Sequence, residues 1–252
     1  MTWQPTDCHA HSTHSDGSLS VAEVAERGRV LGVRVSVSDH VSSDAPTTIS
    51  SIPAIESYLD DLERYDVLRG GEFCWHDALW RDVSPSLAKR FTHRLGSLHN
   101  IRLANGDYVR AFSKVLPEGL TPAAYMEAHV ASLEALALDM PVDILSHPTL
   151  IPPPMQAIDP HELWSESHET RAVNALRAAG IAFEISGRYQ PHERFVRRAA
   201  AAGVRLSLGS DGHRREQVAN IVAPLALARL VGVRDEDLYD PTRHGSRTGA
   251  SA

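Results

Sequence analysis

Residues 7–17 read DCHAHSTHSDG, with His9 and His11 two positions apart and Asp16 in the polar turn behind them. Side chains at i and i+2 of a β-strand share a face, so these two imidazoles can be presented to one metal ion. An HxH pair alone is a modest signal. Its weight grows with the places where later strand-like runs end: Asp39-His40, Glu72, His99, His147 and Asp211 to His213. A single histidine after a strand caps a helix, bonds a carbonyl or is simply solvated. Six histidines and three carboxylates recurring at equivalent places make nine separate bland explanations improbable. A mixed imidazole and carboxylate set suits zinc, manganese or iron. Nine ligands exceed the capacity of one ion, so the spacing implies two or three divalent ions, with Glu72 the best bridging carboxylate.

Other residues carry weaker signals. Arg188 follows Ile185-Ser186-Gly187 at a strand end, where a guanidinium can hold a phosphate in a bidentate way; its bland reading is a surface arginine. His14 is a further candidate in the first motif and competes with Asp16. The remaining histidines, His76, His93, His129, His161, His168, His192 and His244, read as solvated or capping groups. Cys8 and Cys74 read as strand packing.

Strand-like and helical patterns alternate to position these residues. Strands are expected over 6–11, 33–38, 67–74, 94–101, 142–146, 181–185 and 204–208, and helices over 19–31, 52–66, 84–93, 121–138, 165–179, 190–202 and 216–230. Ser18 or Ser20 would cap the first helix, and Gly32, Gly180 and Gly203 stop helices. Residues 102–119 read as an irregular loop over the strand ends. Alternation of this kind implies parallel strands, and seven units suggest a closed barrel, in which active-site groups lie at the C-terminal strand ends. The expectation is a single α/β domain over 1–240 with a flexible tail over 241–252.

Composition narrows the function. The chain has 252 residues, 42% of them hydrophobic, which suits one large domain with a full core. A formal net charge of -7 and the lack of a basic run disfavour nucleic acid as a partner. No apolar stretch is long enough to span a bilayer, no signal peptide is legible, and two cysteines in different strands point to a reduced, cytoplasmic setting.

In this order, HAHSTHSDG, SVSDH, the Glu of RGGEF, GSLHN, ILSHP and LGSDGH resemble the motif set of the PHP (polymerase and histidinol phosphatase) superfamily across roughly residues 7–232. The length, GSLHN and EISGR are most similar to stand-alone histidinol-phosphate phosphatases. The resemblance implies a distorted (β/α)7 barrel with a trinuclear metal site. It implies that His9, His11, Glu72 and Asp211 hold a first ion, Glu72, His99 and His147 a second, and Asp16, His40 and His213 a third. It also implies a phosphomonoesterase acting on a small phosphorylated substrate, histidinol phosphate first, with nucleotides or other small phosphoesters as the alternative. Arg188, Asp211 and His213 are then the catalytic candidates. An amidohydrolase-like C–N hydrolase also uses HxH and a late Asp, but Glu72 stands where a bridging lysine would be. A non-catalytic PHP module would lack ligands, and none is missing here.

Overall fold

The computed structural model describes residues 3–44, 47–244 and 246. Its centre is a ring of short parallel strands. β1 (Thr6–Asp7) pairs with β2 (Arg34–Val37), which continues as β3 (His40–Val41). These pair with β4 (Leu68–Arg69) and its continuation β5 (Glu72–Cys74). β6 (Leu95–Ser97), β9 (Ile144–Leu145), β10 (Ala182–Ser186) and β11 (Leu206–Gly209) follow in parallel register. The Cys8 amide donates to the Leu208 carbonyl (2.8 Å) and the Asp211 amide to the His9 carbonyl (2.8 Å), so the seventh strand meets the first and the ring closes. Every residue of β10 is buried, as expected for a strand covered on both faces.

The helices lie outside the ring, and their ends follow local chemistry. α1 (Val21–Leu31) starts at a capping box formed by Ser20 and Glu23 and stops at Gly32, whose φ of 67° is the left-handed value. α2 (Ile52–Leu62) is capped by Ser51. α3 (Pro85–Ala88) is shorter than its sequence pattern suggests. α4 (Pro122–Asp139) begins at Thr121, whose hydroxyl accepts from the Ala124 amide. After α5 (Pro160–Leu163) come α6 (Glu166–Ala179), which packs on α4, α7 (Glu193–Ala201), α8 (Val222–Leu230) and α9 (Pro241–His244).

Four expectations need correction. The second and third strands are each broken, at residues 38–39 and at Gly70-Gly71. A Cβ on Gly70 would lie 2.0 Å from Ser38 Oγ, so the two breaks sit against each other and only glycine lets them meet. The fourth strand ends at Ser97; beyond it β7 (Asn100–Arg102), at the end of the expected fourth strand, turns back on β8 (Tyr108–Arg110) as an antiparallel hairpin that reaches into the segment expected to be irregular. The last long helix starts at Val222, not at 216, because Ala219 is held at φ 61° with its amide donating to Asp7. Residues 241–244 of the expected tail are helical, and 245 and 247–252 lie outside the described residues. Among the described residues no helix is long and apolar enough to cross a membrane.

Candidate metal centre

All nine sequence-derived ligands gather at the C-terminal end of the ring. His9 Nε2 and His11 Nε2 face each other at 3.1 Å. Asp211 Oδ1 lies 3.3 Å from His11 Nε2 and 3.9 Å from His9 Nε2. Glu72 lies in the middle. Its Oε2 is 3.6 Å from His9 and 2.6 Å from His40 Nδ1, and its Oε1 is 2.7 Å from His147 Nε2 and 3.3 Å from His99 Nε2. Asp16 Oδ1 faces His213 Nε2 at 3.3 Å and His40 Nε2 at 3.4 Å.

The local backbone bends to achieve this. His147 and Asp211 have positive φ, 28° and 51°, which non-glycine residues seldom adopt. Strain of this kind persists only where surrounding contacts hold it. Here the His147 amide donates to Glu184 Oε2, and the Asp211 amide to the His9 carbonyl.

The protonation pattern is that of a ligand set. Burial, with the neighbouring His40, pushes His11 down to about 3, and burial pushes His99 down to about 4. Burial alone would raise Glu72, but the surrounding His99, His40, His9 and His147 hold its carboxyl well below the usual range. Burial likewise opposes, and the imidazoles outweigh it, at Asp16 and Asp211, both held below the ordinary aspartate value. Neutral imidazoles and ionised carboxylates are the forms that bind metals. His9 and His40 depart from this: burial lowers both, yet Glu184 and Glu72 raise His9 well above the usual histidine value, and Glu72 with Asp16 raises His40.

Two further features fit a cation. His9 and His11 aim ring nitrogens at each other across 3.1 Å, and buried His11 Nδ1 has no hydrogen-bond partner. Groups this buried are normally satisfied. Three sets of donor atoms are each mutually close: His9, His11 and Asp211; His40, Glu72 and His99; and His11, Asp16, His40 and His213. All three differ in detail from the expected sets: the first lacks Glu72, the second has His40 in place of His147, and the third adds His11.

Other expected residues fall apart from the cluster or at its edge. Arg188 stands at the rim, its Nη1 3.0 Å from His213 Nδ1 and its guanidinium over the Tyr189 ring. His14 points away, 2.9 Å from Asp61. Asp39 does not join the donors; it accepts from the Ser12 amide and from the hydroxyls of Ser12 and Ser15, holding the loop that carries Asp16.

Sequence reasoning missed Glu184. It is fully buried on β10, with Oε1 2.8 Å from His9 Nδ1. It thereby orients His9 and, through the His147 amide, a second imidazole. A Cβ on Gly209 would reach within 2.0 Å of this carboxylate, so glycine is required beside it. The available signal was a lone carboxylate in the apolar run AFEIS, since unpaired acids are rarely buried.

No family model and no curated relative matches the chain. Solved structures do. A histidinol phosphate phosphatase from Lactococcus lactis, crystallised with zinc, L-histidinol and phosphate, superposes with a TM-score of 0.72 over 92% of this chain and 95% of its own, at 15% identity. This chain has the histidinol phosphate phosphatase fold. A protein from Listeria monocytogenes assigned as a histidinol phosphatase gives a TM-score of 0.71 over 87% of this chain and 99% of its own, at 13% identity. The α/β fold expected from the motif set therefore stands, and its distortion lies in the broken second and third strands.

Proposed function

We propose that this chain is a metal-dependent phosphomonoesterase that hydrolyses a small phosphate ester, with histidinol phosphate the first candidate. The observation that carries the reading is the convergence of nine donors around Glu72 beside an exposed guanidinium. Support comes from the matching fold, whose Lactococcus lactis example holds zinc, L-histidinol and phosphate. His9, His11, Glu72 and Asp211 would hold one ion, Glu72, His99 and His147 a second, and Asp16, His40 and His213 a third. Such ions, when bound, offset phosphoryl charge and lower the pKa of an attacking water.

The side chains supply the rest. Glu184 fixes the ring of His9, leaving Nε2 for the centre. Arg188, anchored by its amide on Ser186 Oγ, offers two parallel donors to phosphoryl oxygens and balances the charge that develops as the P–O bond breaks. His213 sits between Arg188 and Asp16 at the rim and is placed to hold the proton that the leaving oxygen needs. Water adds to phosphorus, the ester P–O bond breaks, and an alcohol and phosphate leave. Both cysteines are buried and unpaired, which agrees with the cytoplasm as its compartment.

The test is a panel of small phosphomonoesters, histidinol phosphate and nucleotides among them, offered to the metal-loaded protein. Histidinol phosphate should give the highest kcat/KM. Preference for a nucleotide would move the substrate assignment, and no phosphate release from any ester would overturn the reading.

A further inference from the structure

Two cavities border the donor cluster. One, about 350 Å³, includes Arg188 and Tyr189 in its wall but none of the nine donors. The other, about 450 Å³, has Asp16, His40 and His99 in its wall. The second cavity is therefore the one that opens directly onto donors of the cluster. Its outer wall is built by Arg110 at the end of the β7–β8 hairpin, by Phe112 in the turn just after it, and by Asp44 from the segment after β3. Phe112 is 48% exposed, and its ring centroid is 5.5 Å from that of His99. It thus presents a flat apolar face directly beside a donor of the cluster. Asp44 Oδ2 lies 2.6 Å from His76 Nε2, which fixes a polar edge on the same cavity.

We infer that the turn following the β7–β8 hairpin selects the leaving group and that Phe112 is its specificity-determining residue: the alcohol carries a flat ring that stacks on Phe112, with its polar edge toward Asp44. This rests on the phosphomonoesterase reading. Stacking of a planar ring on an aromatic side chain is favourable and tolerant of ring type, so it ranks substrates by whether they have a ring at all.

Steady-state kinetics on the metal-loaded protein tests this with two esters, histidinol phosphate, which bears a ring, and glycerol 1-phosphate, which does not. Phe112→Ala should lower the kcat/KM ratio of the first over the second by about tenfold or more, mainly through KM, with metal content unchanged. Phe112→Tyr should restore most of the ratio. An unchanged ratio in Phe112→Ala, or a wild-type protein that prefers the ringless ester, would overturn the inference while leaving the phosphatase reading intact. A wild-type protein that hydrolyses neither ester also overturns the inference, and one that releases phosphate from no ester at all sinks both.

Discussion

Glu72 stands between 2.6 and 3.9 Å from five imidazoles, those of His9, His11, His40, His99 and His147. The imidazoles in turn hold the buried carboxylate in its ionised form. Glu72→Gln keeps the size and removes the charge, so the two proposed ion sites that share Glu72 would both lose it. Metal content should fall, and turnover should drop by several orders of magnitude; near-normal turnover with intact metal would make Glu72 a packing residue. Arg188 makes a different kind of contribution. Losing a charge-assisted hydrogen bond costs about 1.5–3 kcal/mol, or about ten- to a hundredfold in kcat/KM. Arg188→Ala should show that loss with metal content and thermal stability nearly unchanged, and Arg188→Lys should recover part of it, since a point charge does not reproduce the planar fork. Kinetics of both variants matching the wild type would return Arg188 to a solvated surface role. Most of the donors were legible because they are polar at the end of an apolar run, and Asp16 because it follows the HxH pair in a polar turn. Glu184 was not, because its partner His9 lies 175 positions away in sequence and only the fold brings them together.

Secondary elements show the same division between local and tertiary signals. Capped helices such as α1 and α4 were legible at both ends, because Ser20, Gly32 and Thr121 act on their own neighbours. The β7–β8 hairpin was not: its outer strand, Tyr108–Arg110, buries only Val109, too short an alternation to stand out. The early start given to α8 failed for a tertiary reason, since Asp7 captures the Ala219 amide and the turn with it. α4 also carries a pH-sensitive group. His129 is buried against Trp164, ring centroids 5.2 Å apart, and burial pushes its pKa down from 6.5 to about 4. Between these values the unfolded chain binds a proton that the folded chain refuses, so stability rises with pH across this window. Thermal melts should show Tm falling as pH drops from about 6.5 to about 4, and His129→Phe should flatten this part of the profile. An unchanged slope in the variant would place the acid sensitivity elsewhere.

At the scale of the whole molecule, closure of seven parallel strands puts every strand's C-terminal end on one face, and the donors follow from that geometry. Strand-helix alternation predicted the ring; the breaks in its second and third strands depend on the close approach of Gly70 to Ser38 and have no local pattern to announce them. A net charge of -7 also fits a site that needs bound cations to receive an anionic ester. Elemental analysis of protein purified without chelator, paired with phosphate release from histidinol phosphate before and after metal removal, tests this account most directly. Two to three divalent ions per chain, loss of phosphate release on chelation and its return on reconstitution are expected. A metal-free protein that releases phosphate at the full rate would contradict it.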